Sequence, residues 1–161
     1  MKRHRWLLLL PGAALAALLF VLVNSAGCNY ALQLNHQNLR YHGTCRLGLA
    51  EFVETDQLTG SQWTVSAFQL AVADQLLFVV RERRHVREGA AGVAGHPRVQ
   101  PDYLLVNYAW MPIDDTRVAL FQVTPHHDVI VAERRGAIDL MDALWPRPAP
   151  PFSVPHNALM P

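Results

Sequence analysis

The chain has 161 residues, 51% of them hydrophobic and 17% charged, with a formal net charge of +1. That length fits one domain and excludes a multidomain enzyme or a long repeat array. The near-zero charge argues against a dedicated nucleic-acid binder, which carries a large basic excess.

The N-terminus is basic, with Lys2, Arg3 and Arg5. Leu7 to Val23 then runs 17 residues without a charge. Basic residues stay on the cytoplasmic side, so everything after this run is expected outside the cytoplasm. Three fates compete for the segment. An uncleaved single-pass anchor is favoured, because the run exceeds the 7–15 apolar residues of a cleaved signal. Pro11 and Gly12 interrupt it near its start. A lipoprotein is the second reading, since Ser25-Ala26-Gly27-Cys28 places small residues before a cysteine. Cleavage after Ser25, with Val23 and Ser25 as the recognition pair, is the third. All three place the body in a bacterial periplasm, on the inner membrane in the anchored form.

The only cysteines, Cys28 and Cys45, follow this segment, in a compartment where disulfides persist. Tyr30, Leu32 and Leu34 alternate with polar or small neighbours, as do Leu39, Tyr41 and Cys45. A two-residue turn at His36-Gln37 would pair Asn35 with Asn38 and set Cys28 directly opposite Cys45. The spacing predicts a Cys28–Cys45 disulfide, which competes with acylation of Cys28 for the same sulfur. No Cys-x-x-Cys is present, so a redox role is not indicated.

Alternation continues along the body. Strands are predicted over Leu39–Glu54, Trp63–Val72, Gln75–Glu88, Tyr103–Trp110, Thr116–Thr124 and Asp128–Glu133. Ala73-Asp74 and Asp114-Asp115 suit tight turns, and the Gly/Pro-rich stretch 89–101 reads as a flexible loop. Ile138, Leu140, Met141, Leu144 and Trp145 have helical spacing, ended by Pro146. Met141 and Trp145 are expected in the core, and Asp139 and Asp142 in solvent. The expected fold is mainly β: an N-terminal transmembrane helix, then a small antiparallel barrel or sandwich of about seven strands, then one short C-terminal helix. Residues 1–27 are the anchor or signal, 28–145 the periplasmic β-domain and 146–161 a proline-rich tail.

Three clusters could carry chemistry. His126 and Asp128 would share one face of a strand and are weak metal-ligand candidates, but zinc needs three or four protein ligands. Arg81, Arg83, Arg84 and Arg87 could meet an anionic ligand or an acidic partner. By period two, Arg81, Arg83, His85 and Arg87 would share one face. The plainer reading is a charged sheet edge that blocks aggregation. Nucleic acid is not expected, because the body after residue 27 carries 11 arginines against 13 acids. Trp63, Phe68, Phe78, Tyr103, Tyr108, Trp110 and Phe121 would line the closed sheet. They would fill it or leave a cavity for an amphipathic ligand, and an incomplete barrel finished by a partner's strands is a further option. No nucleophile elbow, phosphate loop, dinucleotide fingerprint or other cofactor signature is found, so catalysis is not expected.

The basic start, the single anchor, the early periplasmic Cys28 and the β-rich body resemble a group of small bacterial inner-membrane proteins. These are the FidL-like, ToxS-like and VtrC-like partners of membrane-bound winged-helix transcription regulators. The segment from Cys28 through Val65 to Arg84 is similar in the order of its strands and its arginine-bearing strand. Cys45 and the proline-rich tail have no counterpart in that layout, and no family binding residue maps onto this chain. The resemblance implies a non-catalytic partner that pairs with a regulator's periplasmic domain. Such a partner would stabilise the regulator or help it sense a small amphipathic signal such as a bile salt.

Overall fold

The computed structural model describes residues 3–36, 38–90, 104–124 and 128–149, with side chains in the first helix from Leu10 onward. Helix α1 (Arg3–Ala26) runs unbroken through Pro11. Eight strands follow: β1 (Asn29–His36), β2 (Leu39–Arg46), β3 (Leu49–Asp56), β4 (Gln62–Val72), β5 (Gln75–Arg87), β6 (Leu105–Pro112), β7 (Arg117–Thr124) and β8 (Val129–Ala137). Helix α2 (Leu140–Leu144) is the last described element. Among the described residues no helix is long and apolar enough to cross a membrane.

The strands form one closed antiparallel barrel in chain order, not a sandwich. Closure comes from β1 against β8, with Asn29 opposite Ala137 and Gln33 opposite Glu133. The described strands close on themselves, which removes the incomplete-barrel option; only residues 81–87 of β5 run past the end of its described pairing with β6. Alternate residues point inward, as the pleat requires. Leu32, Leu39, Cys45, Ala50, Val65, Leu76, Val106, Val118 and Ala132 are buried this way. Gly43 belongs to the inward set because the Phe52 ring lies across it; a Cβ there would sit 2.6 Å from that ring.

Four details differ from the sequence reading. His36 pairs with Leu39, so Tyr30, not Cys28, stands opposite Cys45. Cys28 lies just before β1 and reaches Cys45 diagonally, with Cα atoms 5.7 Å apart; the disulfide forms all the same. The expected Leu39–Glu54 strand is two strands, split by a two-residue turn at Leu47-Gly48, both with positive φ. Asp139 and Asp142 are buried rather than solvated. Asp139 caps α2, accepting from the Asp142 N–H at 2.7 Å. Asp142 accepts from the Ile138 N–H at 2.9 Å and from Arg134 Nη1 at 2.5 Å. Conversely, Met141 and Trp145 are exposed.

The barrel has two unlike ends. At the base lie the end of α1, the Leu47-Gly48 and Ala73-Asp74 turns, the 113–116 turn and α2. A buried polar network seals it. Asn24 donates to the Ala71 carbonyl at 3.0 Å and accepts from the Met141 N–H at 3.0 Å. Ser25 Oγ accepts from the Ala71 N–H at 2.8 Å. Gln69 accepts from the Tyr30 hydroxyl at 2.7 Å and donates to the Ile138 carbonyl at 2.8 Å. Trp110, fully buried, carries the Arg147 guanidinium 4.3 Å from its ring centroid. The opposite end, where β1 meets β2 and β3 meets β4, is the mouth.

The disulfide ties the segment linking α1 and β1 to the end of β2, across a sequence separation of 17 residues. Closing a loop of that size is worth about 3 kcal/mol. The Cys28→Ser/Cys45→Ser double variant should therefore lose about 3 kcal/mol in urea unfolding, and reductant should lower the wild type to the same level.

Candidate functional site

The barrel encloses a cavity of about 110 Å³ that opens toward the mouth. On the scale where one water takes roughly 10–15 Å³, this space suits several waters or an apolar group of that bulk. Its deep wall is apolar, formed by Leu32, Phe52, Val65, Leu76, Phe78 and Ile130 among others. Phe78 packs edge-on against Phe52, with centroids 5.3 Å apart, and against Tyr108 at 6.0 Å. The rim toward the mouth is polar, with His36, Tyr41, Glu54, Arg83 and Asp128.

Each rim residue arrives by strand register. Tyr41 and Glu54 are direct partners on β2 and β3. Burial pushes the Glu54 carboxyl above its ordinary value of 4.5, against the Arg83 charge and the Tyr41 hydrogen bond, which pull it down. Burial likewise raises the Tyr41 phenol, and the Glu54 charge adds to it. His36 Nε2 lies 3.9 Å from Asp128 Oδ2. Those two residues are far apart in sequence, and only the β1–β8 seam brings them together.

Arg83 owes its inward position to an irregularity. On β5, Leu76, Phe78 and Val80 face inward, but the register against β4 shifts between Ser66 and Ala67. The extra residue, Arg81, stays outside, 4.9 Å over the exposed Phe68 ring. Parity then flips, and Arg83 turns into the barrel. The expected single face of Arg81, Arg83, His85 and Arg87 is thus broken by a β-bulge, which inserts one unpaired residue. Arg84 projects outward and pairs with Glu82 at 2.7 Å, and Arg87 is exposed at the strand end. Arg83 is thus separated from Arg81, Arg84 and Arg87, which stay exposed on the outside.

The aromatic lining is also redistributed. Phe78, Tyr108 and Trp110 are inside, whereas Phe68 lies on the outer wall. Tyr103 and His126 lie outside the described residues. Asp128 sits at the rim, but among the described residues no group of three or more His, Cys, Asp or Glu side chains could hold a metal. Cys28 is engaged in the disulfide, so its sulfur is not available for acylation in this state.

No family model matches the chain, and neither a curated protein nor a solved structure matches it.

Glu54 provides a check on the rim. Its folded pKa lies above its unfolded one, so folding favours the neutral acid. That contribution is fully present below the unfolded value and is lost as pH rises through the folded value. Glu54→Gln keeps an acceptor for Tyr41 and removes the titration. Thermal melts between pH 4 and 8 should show the variant gaining on the wild type as pH rises. Parallel pH profiles would contradict this account of the rim.

Proposed function

We propose that this chain is a non-catalytic, membrane-anchored accessory protein of the bacterial envelope whose barrel holds a small amphipathic molecule. The observation that carries this reading is the cavity itself: apolar at depth, polar at the rim, and open at one end. Ligand sites of this kind are mostly apolar, with a few polar groups to orient the ligand. An amphiphile placed with its apolar body against Phe52 and Phe78 would leave its head among Tyr41, Glu54 and Arg83.

The anchoring part of the reading rests on α1. Its apolar run, Leu7 to Val23, is 17 residues and extends about 26 Å at 1.5 Å per residue, at the short end of what a hydrocarbon core of about 30 Å requires. Leu15, Leu18, Leu19, Phe20 and Val23 are exposed along it, and no other part of the described chain covers them. A basic start favours an inward N-terminus and a periplasmic body. A membrane-protein partner, such as the winged-helix regulator implied by the sequence layout, would meet the outer wall, the loops or the 81–87 stretch of β5 beyond its pairing with β6.

The test uses the full chain in lipid nanodiscs, titrated calorimetrically with decanoate, decanol and decylamine below their micellar range, with protein-free discs as the blank. At least one should give a saturable one-site isotherm. Ala67→Phe, which puts a ring into the cavity, should weaken it at least tenfold. Linear partitioning that is equal for all three probes and for the variant would overturn the proposal.

A further inference from the structure

Six large apolar side chains are exposed at the base: Leu47, Leu49, Val72, Met141, Leu144 and Trp145. Their segments border the last turn of α1. A Cβ on Gly48 would lie 3.8 Å from the Ala26 backbone. Ala71, next to Val72, bonds both Asn24 and Ser25. The Met141 N–H donates to Asn24, and Gly27 abuts Leu140. Arg147 bonds Asp74 and the Ala73 carbonyl, which ties the chain after α2 to the β4–β5 turn.

Leu47 is the telling member. It is 80% exposed and has φ of 52°. That left-handed region suits Gly, Asn or Asp in a two-residue hairpin turn and disfavours other side chains. In water, leucine is a poor choice here on two counts, backbone and solvation. Against lipid the second count reverses. Trp145, 66% exposed, adds an indole whose apolar ring and N–H suit the headgroup level of a bilayer.

We propose that these residues form a collar that rests in the interfacial layer of the bilayer holding α1. The barrel then stands base-down, with its cavity mouth facing the aqueous compartment. This rests on the anchoring reading above. The bilayer is the occupant because no linker separates helix from barrel. The apolar run ends at Val23, and Asn24 is already bonded to β4 and α2. The base is therefore held within about one helical turn, 5.4 Å, of the end of the apolar run. The surface is also continuous, passing from exposed Leu22 and Val23 to the collar. A protein partner docking on this face would have to displace the lipid around the emerging helix. A ligand would reach the cavity from the aqueous side, not laterally from the membrane.

The test places a photoreactive benzophenone amino acid at position 47, 145 or 58 of the full chain in phosphatidylcholine/phosphatidylglycerol nanodiscs. Leu58 is the control, exposed at the mouth end. A non-reducing gel showing the Cys28–Cys45 bridge reports that each labelled chain has folded. Mass spectrometry should find lipid adducts at 47 and 145, at least tenfold above those at 58. Equal yields at all three positions would overturn the collar. So would no adducts at 47 and 145 while carbonate washing leaves the chain in native membranes, a result that spares the anchor. Release by carbonate would overturn the anchor and the collar together.

Discussion

The pairing of β1 with β8 is the constraint on which the other features depend. It converts an eight-stranded meander into a tube, and only a tube has an inside. With the seam closed, the inward set of every strand becomes the wall of one cavity. The seam also decides the neighbourhood of the rim, because it is what sets His36 beside Asp128. It fixes the place of α1 as well. β1 starts three residues after α1 ends, so the helix must leave from the base and the mouth must lie at the other end. An open sheet of the same strands would have carried two unpaired edges, and such edges invite further strand addition. Closure removes that liability along the paired lengths, and the stretch of β5 that runs beyond β6, residues 81–87, is charged, which discourages strand addition.

Sealing the base is a separate problem. A barrel end exposes inward side chains and turn backbone, and here α1 and α2 cover them with polar groups as well as apolar ones. Asn24, Ser25, Gln69, Asp139 and Asp142 are all buried. Each hydrogen bond in such a network contributes about 1 kcal/mol net, but an orphaned buried partner costs about 1–3 kcal/mol. The network therefore does more to specify the docking of the helices than to stabilise it. Asn24 shows why: one amide satisfies a carbonyl on β4 and an N–H on α2, and no other seating of the helix end meets both. The Arg134–Asp142 pair, almost wholly buried, adds the same kind of selectivity, since separating its members would strand a charge in the interior.

The sequence showed some of this clearly and hid the rest for physical reasons. Alternation and turn residues placed most strands, and the paired cysteines announced their bridge. The register of β1 against β2 differs from the expected one by two residues. Such a slip returns every side chain to its original face, so the hydrophobic pattern, which resists a slip of one, does not resist a slip of two. The break at Leu47-Gly48 was hidden because an exposed leucine mimics the alternation of a continuing strand. The bulge at Arg81 cannot be read from a run of charges, since either parity leaves arginines on both faces, and Arg83 at the rim therefore reads in the sequence as part of a surface patch. The burial of Asp139 and Asp142 follows from the tertiary position of α2. At five residues, that helix is too short for its own periodicity to declare a face.

The stretch Ser25-Ala26-Gly27-Cys28 shows how packing can imitate a processing signal. Small residues before a cysteine fit a peptidase, and on sequence alone that reading stands. In the fold, each has a local reason to be there. Ser25 donates to the Val21 carbonyl at 2.6 Å while accepting from Ala71, which terminates α1 and docks it in one step. Ala26 faces the Leu47-Gly48 turn at close range. Gly27 lies so near Leu140 that a Cβ would come within 2.4 Å of it, so any larger residue would push α2 off the base. Cys28 is consumed by Cys45. Cleavage anywhere from Val23 to Cys28 would separate the barrel from groups that fill its own base, or from the helix that those groups hold. The steric demands of the junction account for the small residues without a peptidase, and this supports the reading in which helix and barrel remain one chain.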